Sequence, residues 1–238
     1  MKYFRHVNVL FFVCTRIYTF IKLMQQQRQH DRRVEAVVAR VRARPATRRL
    51  CTSRGGGGGH CVRGAVFKEG AWVVDVAALR HVLAVDREGL TCRVEPGVTM
   101  EALCHALLGR HGCLPRVVPE FRSITVGGAI MGLGLESSSF RYGMFEDSVL
   151  GMRMVLGDGR LVEATPDNQH ADLFFATFGS YASLGILVAV ELKMVRASAR
   201  VRVRYERIST LEAALGAVLC HPSGEDQVDF CEGVIFDK

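Results

Sequence analysis

Between residues 123 and 139 the chain reads Ser-Ile-Thr-Val-Gly-Gly-Ala-Ile-Met-Gly-Leu-Gly-Leu-Glu-Ser-Ser-Ser. Gly127, Gly128, Gly132 and Gly134 alternate with apolar residues, and Thr125, Ser137, Ser138 and Ser139 supply hydroxyls. A residue without Cβ lets main-chain N–H groups approach a ligand, and hydroxyls bond phosphate or sugar-alcohol oxygens. The chemistry this suits is the holding of a large, flat, phosphate-bearing molecule by backbone. A tight glycine-rich helix start packed on a sheet is the competing reading. Upstream lies a second cluster, Arg54-Gly55-Gly56-Gly57-Gly58-Gly59-His60, in which five glycines stand between two potential cations and can wrap a pyrophosphate. A polyglycine run alone reads as a flexible linker. Its position between an amphipathic helix and an apolar run, 72–76, argues for a site.

Several chemistries are excluded. Neither cluster has the Gly-Lys-Ser/Thr of a P-loop, and Gly132-Leu133-Gly134 is followed by Ser137 where a dinucleotide fingerprint places its third glycine. Neither an ATPase nor a Rossmann domain is expected. The eight cysteines show no C-x-x-C pair or zinc spacing, and the eight histidines no His-Glu-x-x-His. No metal site is expected, and the thiols read as buried groups of a reducing compartment.

At 238 residues, 49% hydrophobic and 23% charged, the chain is long enough for a real core. Its net charge of +7 is concentrated near the N-terminus in Arg28, Arg32, Arg33, Arg40, Arg42, Arg44, Arg48 and Arg49. A nucleic-acid surface is one reading of that run, but the interleaved aromatics and groove-reading motifs such surfaces use are missing. The segment 7–24 before it is mostly apolar, interrupted by Arg16, and marginal for a bilayer span. It reads as a membrane-associated anchor or interfacial helix without a signal-cleavage site, with a transit peptide as the competing reading.

The elements that must position the glycine clusters follow from periodicity. Val34, Val37, Val38 and Val41 predict an amphipathic helix over 31–44 stopping at Pro45, its basic face toward water or lipid headgroups. Runs 72–76, 81–85 and 90–95 read as short strands, the last two joined by the turn Asp86-Arg87-Glu88-Gly89. Thr99 caps a helix with Met100, Leu103, Leu107 and Leu108 on its apolar face, ending near Gly112. Gly157-Asp158-Gly159 joins strands 151–156 and 161–165 in a hairpin. A short helix at 172–177, strands at 184–195 and 200–207 and a helix over 209–219 complete an α+β pattern without repeats.

The order of these features resembles the FAD-binding (PCMH-type) domain of the vanillyl-alcohol oxidase and p-cresol methylhydroxylase superfamily. The residues that carry it are the glycine-rich loop, Glu95-Pro96-Gly97-Val98-Thr99, Pro119-Glu120 leading into Thr125-Val126-Gly127-Gly128, and Gly185-Ile186. Within it, Ile130-Met-Gly-Leu-Gly-Leu-Glu-Ser-Ser-Ser-Phe-Arg-Tyr-Gly-Met-Phe145 resembles the delta(24)-sterol reductases of the seladin or diminuto type. The resemblance implies a two-subdomain FAD-binding PCMH-type fold over 51–196. A membrane-associated segment over 1–26 and a basic helix and linker over 27–50 precede it, and 197–238 is the start of a cap domain that is truncated. It further implies non-covalent FAD, NADPH as reductant, a sterol substrate, and an endoplasmic-reticulum membrane with the flavin domain facing the cytosol.

Carried over by position, Arg54, Gly55, Gly56, Gly57, Gly58, Gly59 and His60 would lie along the FAD pyrophosphate. Thr125, Val126, Gly127, Gly128, Gly132, Leu133, Gly134, Leu135, Glu136, Ser137, Ser138 and Ser139 would hold pyrophosphate, ribityl chain and isoalloxazine edges through backbone N–H groups. Tyr142 and Gly143 would close that loop, with a packed core aromatic as the alternative for Tyr142, and Gly185 and Ile186 would touch the adenine or ribityl side. Glu120 and Glu136 stand in the right motif for a proton donor, yet carboxylates there more often accept backbone N–H groups, and the donor stays unassigned. His60 is a departure: it resembles the oxidase branch, where a histidine here can bond to the flavin, and otherwise faces a phosphate or is structural. The rival functions are an FAD-dependent oxidase of sugar-lactone or alcohol type and a truncated flavin-binding fragment without turnover.

Overall fold

The computed structural model describes residues 2–54, 65–219 and 228–236, with backbone alone at 2–19, 65 and 67. The polyglycine cluster and His60 lie outside the described residues.

The apolar segment and the basic helix, distinct in sequence, form one helix, α1 (Lys2–Arg42), which ends before Pro45 as expected. Val34, Val37 and Val41 make its buried stripe, in one cluster with Val74, Leu79, Val155, Ile186 and Val188. Phe20, Ile21, Leu23 and Met24 are exposed, and no helix among the described residues is long and apolar enough to cross a membrane.

The basic face of α1 is not simply turned to solvent. Arg40 lies over the Trp72 ring at 3.6 Å and donates to the Val73 carbonyl at 3.2 Å, while the Trp72 indole donates to the Arg40 carbonyl at 2.8 Å. Arg48 donates to the Gly70 and Ala71 carbonyls, and Arg33 pairs with Glu95. These guanidiniums fasten α1 and the segment after it to the domain, because a buried carboxylate and unpaired carbonyls need donors that a neighbouring helix can supply.

β1 (Leu50–Ser53) pairs in parallel with β2 (Trp72–Asp75). The larger sheet contains β3 (Val82–Asp86), β4 (Thr91–Val94), β5 (Cys113–Pro115), β6 (Val149–Val155), β7 (Leu161–Ala164) and β8 (Ile186–Arg196). Its order is β3-β4-β8-β6-β7 with β5 also on β8, and every pairing is antiparallel. The expected α+β class holds.

α2 (Met100–His111) starts at the Thr99 cap, whose hydroxyl accepts from Ala102 N, and stops at Gly112 with φ 62°. Met100, Leu103 and Leu107 are buried under the sheet with Val126, Ile130, Phe145, Met152 and Met194. Leu108, expected on that face, is half exposed, one position beyond the buried stripe. Cys92 and Cys113 are buried and unbridged, and burial, with Glu191 and Cys113 nearby, pushes the Cys92 thiol up to about 12.

The strand expected over 200–207 does not form. Val201, Val203 and Tyr205 alternate with arginines in strand fashion, but β8 already has neighbours on both edges and all three side chains are exposed. With no strand partner among the described residues and no buried face, the pattern has little to stabilise it. A helix does follow, over Leu211–Leu219, and it buries no side chain.

Candidate functional site

The glycine-rich stretch folds as a short helix, α3 (Val126–Met131), followed by an irregular loop and a single turn, α4 (Ser139–Tyr142). Thr125 caps α3, its hydroxyl accepting from Gly128 N at 3.1 Å. The segment after β4 holds this cap in place: Gly127 N donates to the Pro96 carbonyl at 2.8 Å and Val126 N to the Val98 carbonyl at 2.9 Å. A Cβ on Gly127 would sit 2.8 Å from Pro96 Cβ, and one on Gly97 would sit 2.5 Å from the Leu79 carbonyl. Glycine at 97 and 127 therefore serves close backbone packing, so the helix-start reading accounts for this part of the motif.

That geometry corrects one expectation. The N–H groups of Val126, Gly127 and Gly128, expected to hold a ligand, are spent on Val98, Pro96 and the Thr125 hydroxyl. Gly132 N donates to Gly128 O, Gly134 N to Ala129 O, Ser137 N to the Glu136 carboxylate and Ser139 N to Glu136 O. Ser138 is fully buried with its hydroxyl on the Arg116 carbonyl, and the Ser139 hydroxyl accepts from Glu136 N. A loop this irregular satisfies its backbone from within or not at all.

What remains open is a face. Gly128 and Gly132 are exposed, and a Cβ on either would meet only its own helix cap or a carbonyl of the same turn, at 3.0 Å or more. Leu133, Leu135, Phe140 and Tyr181 are exposed. Leu133 follows Gly132 directly, and Leu135 comes two residues later, after Gly134. Tyr181 belongs to the 179–183 loop, where Gly179 N donates to Ile130 O, Tyr181 N to Met131 O, and Ser180 Oγ and Ala182 N to the Met131 sulfur. Bare backbone rimmed by apolar side chains fits the flat ring of a flavin better than its phosphates. Of the upstream cluster only Arg54 is described, and it donates to the Thr125 hydroxyl at 3.3 Å.

The other expected residues are placed as follows. Tyr142 is half-buried against the core, with the Arg141 guanidinium 5.4 Å from its ring, which fits the packed-aromatic alternative. Gly143 has φ 77°, and a Cβ there would lie 2.1 Å from Asp147 Oδ2, the oxygen that accepts from Met144 N. Gly185 and Ile186 are buried, Gly185 3.0 Å from the Val155 carbonyl at its Cβ position and Ile186 in the cluster under α1. Glu120 is exposed. No group of three or more metal-ligating side chains occurs among the described residues.

Sequence reasoning missed two features. Leu133, Tyr181 and Ala182 have φ of 58°, 51° and 63°, a region that costs a side-chain-bearing residue about 1–2 kcal/mol and that collects at functional sites. Nothing in composition marks them, since none is glycine. Ala182→Gly is therefore expected to leave the urea midpoint unchanged within about 0.5 kcal/mol, whereas alanine-to-glycine changes in a helix cost about 1 kcal/mol. The second is Glu146, whose carboxyl is raised by burial and then by Asp147, and whose Oε2 is buried without a hydrogen-bond partner among the described residues.

Beside the cradle, Glu95 is fully buried and carries a cluster of donors. Oε1 receives His30 Nδ1 at 2.7 Å and Arg33 Nη2 at 2.8 Å, and Oε2 receives the backbone N and Nδ1 of His81, both at 2.8 Å. Burial raises the carboxyl, but bonds from His30, His81 and Arg33 and the Arg33 charge outweigh it, and the group lies below its ordinary 4.5. A depressed carboxylate stabilises the fold above its unfolded value and loses that contribution as pH falls through the folded one. Urea midpoints are thus expected to decline as pH drops below 4.5, and Glu95→Gln to flatten that decline.

The family model described as an FAD binding domain matches residues 32–165. Delta(24)-sterol reductase of Pisum sativum is 36% identical over 186 residues, 77% of this chain and 33% of that protein, and that of Homo sapiens is 35% identical over 224 residues, 93% and 43%. The chain thus spans well under half the length of these relatives. Among solved structures, a carbohydrate oxidase from Microdochium nivale matches with TM-score 0.54 and 26% identity over 62% of this chain and 31% of that one. A chitooligosaccharide oxidase matches in fold with TM-score 0.59 at 18% identity, over 67% and 33%. The chain belongs to the family of FAD-binding domains, with a fold of PCMH type.

Proposed function

We propose that this chain is the flavin-holding part of a reductase that takes reducing equivalents from NADPH and delivers them to a side-chain double bond of a sterol. The observation that carries the cofactor half is the open face of Gly128 and Gly132, rimmed by Leu133, Leu135 and Tyr181, with Arg54 bonded to Thr125 at its end. The substrate half is supported by the similarity to plant and mammalian delta(24)-sterol reductases. FAD, when bound, supplies the hydride chemistry. The residues of this chain would do the rest: Gly128 and Gly132 admit the ring, the apolar rim keeps water from its edge, and Arg54 and the 55–60 cluster face the phosphates. Glu136 is not a proton donor in this scheme, because its Oε1 accepts from Ser137 N at 2.9 Å and holds the loop.

The exposed Phe20, Ile21, Leu23 and Met24 on α1, with Lys22 among them, suit contact with a lipid surface, and an endoplasmic-reticulum membrane with the flavin domain in the cytosol is part of this proposal. An oxidase of sugars is the second reading, favoured by the fold shared with the carbohydrate oxidase.

The deciding experiment is the absorbance spectrum of the purified chain before and after acid precipitation, followed by NADPH consumption with a Δ24 sterol. Flavin bands that leave with the supernatant, and NADPH oxidation that needs the sterol, are expected. Flavin retained in the pellet would point to His60 and the oxidase, and a folded, colourless protein would overturn both.

A further inference from the structure

We infer that Glu95 is a positioning residue through which the docking of α1 and the shape of the flavin cradle are set together. Its carboxylate takes donors from α1, through His30 and Arg33, and from the residue preceding β3, through His81. The next residue, Pro96, accepts from Gly127 N, and Val98 accepts from Val126 N. A displacement of the carboxylate is therefore only one residue of backbone away from the first turn of α3, and α1 and the cradle hang from the same short segment.

Two features separate this from an ordinary anchor. The apolar stripe Val34, Val37 and Val41 already gives α1 a docking surface, so a buried charge cluster is not needed merely to attach it. A carboxylate only accepts, so both imidazoles must present Nδ1–H to it, and His30 Nε2 is buried without a hydrogen-bond partner among the described residues. Such an arrangement is expensive to bury and tolerates little displacement, which suits registration better than adhesion.

The inference uses the flavin reading for only one of its readouts. Hydrogen exchange of the whole chain and a fluorescence titration with FAD would be measured for the wild type, Glu95→Gln, Arg33→Met and Val37→Ala. Glu95→Gln is expected to raise exchange at least tenfold in 30–42 and in 96–100 and 124–128 together, with β6 and β7 unchanged, and to weaken FAD at least tenfold. Arg33→Met, at a side chain only partly exposed, is expected to do the same to a smaller degree, at least threefold, and decides the matter if Glu95→Gln does not fold. Val37→Ala should loosen 34–41 while 124–128 and FAD affinity stay within twofold. Faster exchange confined to 30–42, with 124–128 and FAD affinity unchanged in Glu95→Gln or Arg33→Met, would overturn the inference. A wild type that binds no FAD, with the joint exchange response present in Glu95→Gln and Arg33→Met, would sink the flavin reading and leave the coupling standing.

Discussion

Alanine at Gly97 is expected to strip the chain of flavin and to destabilise it at once. The new Cβ would lie 2.5 Å from the Leu79 carbonyl oxygen and 3.3 Å from its carbon, both backbone atoms that cannot swing aside. The same carbonyl accepts from Gly97 N at 2.7 Å, so relieving the clash means breaking that bond. Overpacking of this kind costs about 1–3 kcal/mol, and the lost hydrogen bond about 1 kcal/mol more. For a chain of this size that is a fall in Tm of roughly 4–16 °C, measurable by circular dichroism. Pro96 and Val98 flank Gly97 and hold the first turn of α3, so the flavin-to-protein ratio should fall with stability. Gly128→Ala is the informative contrast: its Cβ would meet only the Thr125 hydroxyl, at 3.1 Å, so the fold should persist while flavin occupancy drops.

Phe145→Ala should give the largest loss of stability. The ring is fully buried in the main core, its Cβ lies against the Gly134 position, and its backbone N donates to the Gly134 carbonyl at 2.8 Å. Truncating a buried phenylalanine costs about 3–5 kcal/mol, a large part of the 5–15 kcal/mol that holds a typical domain together. The cavity would open directly beneath the loop that follows Gly132. Urea titration should therefore show a shifted midpoint, and ligand-induced stabilisation by FAD should shrink in the same variant.

Several parts of this architecture were legible in the residues because their causes are local. The Thr99 cap and the Gly112 stop define α2, and Gly157-Asp158-Gly159 defines the β6–β7 hairpin, each through chemistry within a few positions. The resemblance of 130–145 led to the cofactor for a different reason, since a short glycine-rich sequence can have few structural solutions. What was not legible depends on distant partners. The N–H groups of Val126 and Gly127 looked free in sequence and are consumed by Val98 and Pro96, about thirty residues earlier. Arg33 and Arg40 of α1 looked like part of a solvated face and are committed to Glu95, Trp72 and the Val73 carbonyl. The 200–207 pattern looked like a strand, yet it pairs with no strand among the described residues and leaves Val201, Val203 and Tyr205 exposed. The left-handed Leu133, Tyr181 and Ala182 have no compositional signature at all.

The position of β8 also fixes the order in which the fold can be assembled. The β3–β4 and β6–β7 hairpins close over short loops and, among the described residues, are joined in the sheet through β8, which pairs with β4, β5 and β6 and follows all of them in the chain. Until residue 196 has left the ribosome the nascent chain carries two ribbons with open, apolar edges and no central strand between them. High contact order of this kind slows folding and prolongs exposure to aggregation. Chain terminated before residue 186 should accumulate in chaperone complexes or inclusion bodies, while chain extending past 196 can seal the sheet.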